Sequence, residues 1–222
     1  MPDVHAQRHH VLYPEFFAGF ESGAYPLTRE LFTKVWRQKE VDPRWLRVHV
    51  HKAAPSSVRP TWLYVTCGLS DPDPTATAPP EEGLSGLGCE FKLETSEDTA
   101  WPMVRLQEVA ALQLLLGAGR FGDCRLLEDE DLLPLHQPIT RDGTSALRWL
   151  LVATGGRRPY AFQLPTGLVR FCNLLGITNE EAVLAQQVGA GNLIVLLERN
   201  GFFPLVAPER TSVVIRRSPS AS

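Results

Sequence analysis

The sequence predicts an α+β domain in which a mixed β-sheet is covered by packed helices. Three observations carry this expectation. Thr61–Cys67 is rich in β-branched and aromatic residues, as a strand requires. In Leu87–Glu94, Leu87, Cys89, Phe91 and Leu93 alternate with Gly88, Glu90, Lys92 and Glu94, the period of two of a half-buried strand. Thr99–Gly117 is apolar on most sides (Leu106, Val109, Ala110, Leu112, Leu114, Leu115, Leu116), so it reads as the most buried helix.

In chain order, residues 1–10 read as a mobile polar lead, while Val11–Tyr13 and Phe16-Phe17 are apolar enough to dock on the body. Thr28–Glu40 reads as the first firm helix, capped by Thr28 and ended by Asp42-Pro43. Trp45–His51 is a predicted strand with His49 and His51 on one face and Leu46, Val48 and Val50 on the other. After the paired strands at 61–67 and 89–94, joined by a Pro-rich loop over 73–83, comes the helix at 99–117, with Pro102 in its first turn, where a missing N–H is harmless. A short strand is expected at Cys124–Leu127, an acidic loop at 128–131, and strands at 146–153, 160–164 and 168–175. Thr178-Asn179-Glu180-Glu181 spells a capping box opening a helix to about Val188. A second helix spans 192–199, a last strand 211–216, and a disordered tail 217–222. The chain divides on this reading into an N-terminal helical extension (1–44), one main domain (45–216) and the tail.

The 222 residues carry a net charge of −3, which argues against a dedicated nucleic-acid binder. Cys67, Cys89, Cys124 and Cys172 lack any Cys-x-x-Cys spacing and read as buried free thiols of a reducing compartment. Met1–His10 has no apolar signal core, and no apolar run is long enough to span a bilayer, so a cytoplasmic, non-membrane protein is expected.

No complete catalytic constellation is spelled out. Gly117-x-Gly119-x-x-Gly122 matches a dinucleotide fingerprint but follows a helix rather than opening one, so it reads as a helix stop. P-loop and Gly-x-Ser-x-Gly motifs are absent. His49 and His51 share a strand face, and His5 and His9 stand at helical spacing, but no third ligand is specified. Solvated surface histidines are the better reading, and no metal or cofactor is expected. The acidic run Glu128–Asp131 lacks the alternation of a calcium loop.

Gly68-Leu69-Ser70-Asp71, Ser85-Gly86-Leu87-Gly88-Cys89-Glu90-Phe91 and Trp101-Pro102 resemble the signature of the suppressor-of-fused family. The likeness continues through Thr166-Gly167, Leu174-Leu175-Gly176-Ile177-Thr178 and Ala185-Gln186-Gln187, and spans roughly residues 60–215. Gly68, Asp71, Gly86, Gly88, Trp101, Pro102 and Gly176 are its motif residues and read as structural. The resemblance implies a non-enzymatic protein-binding domain. Animal members restrain a transcription factor by adding its strand between two domains, and this chain matches the N-terminal one. A stand-alone domain resembles the bacterial branch, some members of which are regarded as immunity proteins, so the implied partner is a toxin or a regulator. Gly122-Asp123 resembles a Gly-Asp on the partner-facing side of animal members, and Leu112 takes the place of an aromatic there. Asp123 and Leu112 are thus the candidate partner-binding residues, against the blander readings of turn aspartate and core leucine. The alternative from another class is a small-molecule- or nucleotide-dependent enzyme with its site near Asp71 and Asp123.

Overall fold

The computed structural model describes residues 4–72 and 83–214. Its architecture is α+β, with an eight-stranded mixed sheet between two helical layers. The strands are β1 (Tyr25–Pro26), β2 (His49–Ala53), β3 (Trp62–Cys67), β4 (Leu84–Thr95), β5 (Leu132–Pro134), β6 (Trp149–Ala153), β7 (Ala161–Leu164) and β8 (Gly167–Ile177). Their order is β1-β2-β3-β4-β8-β6-β5, with β7 also pairing β8. The two longest strands, β4 and β8, run parallel at the centre, and the other pairs are antiparallel.

Side-chain alternation sends the apolar residues of the central strands to both faces. Val50, Tyr64, Cys89, Phe91, Leu93, Leu150, Val152, Cys172 and Leu174 pack on one face against α3 (Trp101–Gly117). On the opposite face, Ala53, Leu63, Val65, Phe162 and Phe171 meet Tyr13 and Phe17 from the N-terminal helical segment: α1 (Val4–Gln7), a π turn (Arg8–Leu12) and α2 (Tyr13–Phe16). Further along that face, Leu151, Ala153, Leu175 and Ile177 receive Ala182 and Ala185 of α4 (Asn179–Val188) and Leu193 and Leu197 of α5 (Ala190–Arg199). A sheet covered on both faces explains the near-continuous apolar runs in β3, β6 and β8.

Several sequence expectations are corrected. Residues 4–10 are helical and docked rather than a mobile lead, because Arg8 reaches into the interior. The helix expected over 28–40 stops at Val35: Trp36 N–H bonds the Leu31 carbonyl in a π-type turn, and Arg37 takes φ +53°. Pro43–Arg47 is a 3-10 turn capped by the Asp42 carboxylate, so the strand starts at His49, not Trp45. Cys124–Leu127 is not a strand. The Leu127 N–H donates to Gln113 Oε1 (2.9 Å), the neighbouring edge strand is β5, and Cys124 is exposed. Residues 211–214 are not a strand, since the Val213 N–H is taken by Glu181 (2.8 Å). The tail at 217–222 and most of the Pro-rich loop lie outside the described residues.

The capping box forms as spelled: Glu181 N–H donates to Thr178 Oγ1 (3.3 Å) and Thr178 N–H to Glu181 Oε2 (2.9 Å). The same carboxylate also binds Arg210 in a bidentate pair at 2.6 and 2.7 Å, tying the C-terminal segment to the start of α4.

The motif glycines shape the junction of β3 and β4. The β4–β8 register shifts between Leu84 and Cys89, where Gly86 and Gly88 take φ +55° and +73°. A Cβ at Gly86 would sit 2.5 Å from the Asp71 carbonyl oxygen and 2.7 Å from that of Leu69, so only glycine fits this backbone crossing. At Gly119 (φ +66°) a Cβ would meet nothing within 4 Å. Gly119→Ala is therefore expected to lower stability by about 1–2 kcal/mol through backbone conformation alone. Gly86→Ala should lower it by about 3–5 kcal/mol, the same strain plus a backbone clash. Urea denaturation of the two variants side by side measures the difference.

Candidate functional site

The polar face of β4 is where the structure departs furthest from expectation. Glu90, Lys92 and Glu94 alternate with the apolar side chains as the sequence pattern requires, yet all three are buried, because the N-terminal helices and loops cover that face. Each needs partners, since an unpaired buried charge is strongly destabilising.

Glu90 organises the largest network. Its Oε1 accepts from the backbone N–H groups of Gly68 and Ser70 (both 3.0 Å) and from Ser70 Oγ (2.6 Å), and its Oε2 accepts from Thr66 Oγ1 (2.7 Å). Arg8, fully buried, lays its guanidinium over this group. Nη1 stands 3.8 Å from Glu90 Oε1 and donates to Ser70 Oγ (2.6 Å). Nη2 donates to Asp71 Oδ1 (2.6 Å), and Nε to Cys67 Sγ (3.1 Å). Burial, partly opposed by the Arg8 charge, pushes the Cys67 thiol up to about 12, so it stays protonated. At Asp71 burial works against ionisation, but the hydrogen bond with His5 and the Arg8 charge outweigh it and hold the carboxyl below its usual range. Glu94 accepts from Thr61 Oγ1 (2.7 Å) and lies 3.3 Å from Arg157 Nε. Lys92 Nζ donates to the carbonyls of Arg157 and Pro159 (3.2 Å each), and burial brings its pKa down to about 8.

Beside Arg8 lie four imidazoles. His49 and His51 on β2 are buried, at 6% and 0% exposure, which corrects the expectation of solvated surface histidines. Their rings stand 4.5 Å apart, and His9 from the N-terminal helix comes within 4.5 Å of His51 and 6.0 Å of His49. The His5 ring is 5.2 Å from that of His49. Burial lowers the pKa of His49, and burial followed by the His49 ring lowers that of His51 to about 3.

The predicted motif residues gather partly at this place. Gly68, Asp71, Gly86 and Gly88 surround the Arg8–Glu90 network, with Ser85 Oγ donating to the Ser70 carbonyl (2.8 Å). Trp101 and Pro102 open α3 on the other face of the sheet, and Gly176 lets Ile139, Leu147 and Val206 approach β8. Leu112 is half-buried in α3. Asp123 is exposed in the loop after α3 and has no ion pair or side-chain hydrogen bond among the described residues. The two are not part of the network on the opposite face. Two surface depressions, one by Phe16, Arg158 and Tyr160 and one by Phe17, Arg59, Lys92 and Glu94, include neither Asp71 nor Asp123. Sequence reasoning missed Arg8 and Glu90. The alternation of β4 placed Glu90, but nothing in the sequence said that a polar lead would cover it.

The suppressor of fused protein (SUFU) family model matches residues 43–211, and the chain belongs to this family. No curated protein matches the sequence. Three solved structures share the fold. Drosophila Suppressor of Fused has a TM-score of 0.60 at 21% identity over 75% of this chain. A Sufu–Fu complex has 0.61 at 20% identity over 86% of this chain and 93% of that one. A SUFU homologue from Neisseria gonorrhoeae FA 1090 has 0.52 at 16% identity over 84% of this chain and 94% of that one. The match spans 42% of the Drosophila chain. Among the described residues no helix is long and apolar enough to cross a membrane.

Removing one member of the buried pair should strand the other. Glu90→Ala is expected to destabilise by about 3–5 kcal/mol. Asp71→Asn should have a smaller effect, because the Asp71 side chain is 28% exposed and its pairing is screened by water. Urea denaturation at pH 7 distinguishes the two.

Proposed function

We propose that this chain is a non-enzymatic protein-binding domain that sequesters a protein partner, a toxin or a regulator. The observation that carries the reading is the surface at the end of α3. There Phe121 is 38% exposed, its ring 6.2 Å from that of Trp36, and the free carboxylate of Asp123 stands two residues on. Aromatic side chains are enriched in interface cores, and a charged residue beside one suits the polar rim.

The chain from this loop runs into β5, which ends the sheet, and among the described residues no strand pairs with its outer side. An extended partner segment adds there through main-chain hydrogen bonds on this reading, and Asp123 and Leu112 form a separate contact face on the loop and helix. Family membership supports a binding role, and one structure of the same fold is a complex of Sufu with Fu. The buried ionisable groups speak against the enzyme alternative. Glu90, Glu181 and Arg210 are each held by partners within the fold rather than turned toward a depression, and Glu94, which does line one, is engaged by Thr61 and Arg157.

Affinity capture from the native host's lysate, with mass spectrometry and Asp123→Arg as control, tests this. One stoichiometric protein retained by the wild type and lost by the variant is the expected result. A partner retained equally by Asp123→Arg would move the face elsewhere. A defined turnover abolished by one polar substitution would replace the binding reading with the enzymatic one.

A further inference from the structure

The histidine cluster has a feature that the Arg8–Glu90 network lacks: its polar atoms are left over. His49 Nδ1 lies 2.8 Å from the Arg47 carbonyl and His51 Nδ1 lies 2.9 Å from the Gly23 carbonyl. A carbonyl oxygen can only accept, so each Nδ1 carries the proton and each Nε2 presents a bare lone pair. Both Nε2 atoms are buried and have no hydrogen-bond partner. Leaving a buried polar atom unsatisfied is expensive, of order 1–3 kcal/mol. Two such bare lone pairs on one strand face are free to accept a ligand.

The tautomer is the one that metal-ligating histidines use, with the distal ring nitrogen fixed by a backbone carbonyl and the other nitrogen free for the ion. The N-terminal helix supplies two more imidazoles, His5 and His9, four residues apart and so on one helix face. One ring nitrogen from each of His5, His9 and His49 lies within 4.8 Å of the other two. Tetrahedral coordination at about 2.0–2.1 Å needs nitrogens about 3.3 Å apart. The rings therefore have to close by no more than about 1.5 Å, which modest side-chain rotation provides. His5 Nδ1 stands 3.5 Å from Asp71 Oδ2, the carboxylate–histidine arrangement that orients a ligand ring, and equally 3.5 Å from Arg8 Nη2. The fixed charges nearby are one guanidinium, Arg8, against two carboxylates, Asp71 and Glu90, a balance that favours a cation.

We infer that His5, His9 and His49 form a binding site for one divalent transition-metal ion of the zinc class, beside His51, whose ring nitrogen groups with His49 and Cys67 instead. Imidazole donors suit such ions and exclude calcium and magnesium, which take oxygen ligands. Cys67 groups with His49 and His51 rather than with His5 and His9, and its sulfur accepts from Arg8 Nε (3.1 Å), so it lies outside the ligand set. The ion joins the N-terminal helix to β2 and so holds in place the segment that delivers Arg8.

The site is tested on the full chain, produced without a polyhistidine tag and stripped with a chelator. Calorimetric titration with Zn²⁺ should show one ion per chain, and Co²⁺ should give the visible absorption bands of a low-symmetry nitrogen-ligated site. The double variant His5→Ala/His9→Ala, which removes two partly exposed ligands and leaves the strand intact, should lose at least about a hundredfold in Zn²⁺ affinity. It should also lose the Zn²⁺-induced rise in Tm. His10→Ala, on the adjacent exposed position, should change neither. Absence of stoichiometric Zn²⁺ binding by the wild type, a Co²⁺ spectrum of the hexaaqua ion, or equal affinity in the double variant overturns the site. The Co²⁺ spectrum of the wild type decides the matter even if the variant fails to fold.

Discussion

The burial of Glu90 is the constraint on which this structure depends. A carboxylate at the centre of a sheet covered on both faces must be met by donors from every side. It obtains them from the turn after β3 through Gly68 and Ser70 and from β3 itself through Thr66, while Arg8 from the N-terminal helix supplies the counter-charge at 3.8 Å. The turn that carries Gly68 and Ser70 is crossed closely by β4 at its bulge, and that crossing is possible only because Gly86 lacks a side chain. Backbone geometry and charge satisfaction are thus one requirement at this junction.

The same solution recurs on a smaller scale. Glu94 is matched by Thr61 and Arg157, and Glu181 by Arg210 and two backbone N–H groups. In each case a buried glutamate holds a segment distant in sequence against the sheet. Such pairs add little net stability compared with apolar packing, but they penalise any arrangement in which the segment docks elsewhere. The opposite face, against α3, relies mainly on apolar contacts for the same task, with Leu106, Val109, Ala110 and Leu115 pressed on Phe91 and Leu93, while the buried Gln113 donates to Cys89 Sγ (3.5 Å).

Local patterns were legible in the sequence and long-range coverage was not. The capping box at Thr178, the apolar helix after Trp101-Pro102 and the strands at 61–67 and 87–94 follow from spacing and residue type, which act over a few residues. The extent of β4 toward Leu84 was hidden by its glycines, which read as a turn yet serve as a bulge within the strand. The π turn at Leu31–Val35 and the shifted start of β2 reflect Arg37 and the Asp42–Pro43 cap overriding helix and strand propensity. The paired histidines were visible as two separate spacings, 5/9 and 49/51. Their meeting was not, because it depends on the polar lead folding back across β2, and that in turn depends on Arg8 finding Glu90 and Asp71. Asp123 and Leu112 entered through resemblance alone; the structure places the first on the surface and the second half-buried in α3.

The bidentate clamp between Arg210 and Glu181 gives the end of the chain an unexpected tie. Glu181 Oε2 serves both as the cap of α4 and as an anchor for Arg210, and Oε1 also receives the Val213 N–H. Release of the segment around Arg210 therefore leaves a buried carboxylate short of its counter-charge and loosens the first turn of α4 at the same moment. In hydrogen-exchange terms, the amides of Thr178, Glu181 and Val213 belong to one opening unit, although 35 residues separate the first from the last in sequence.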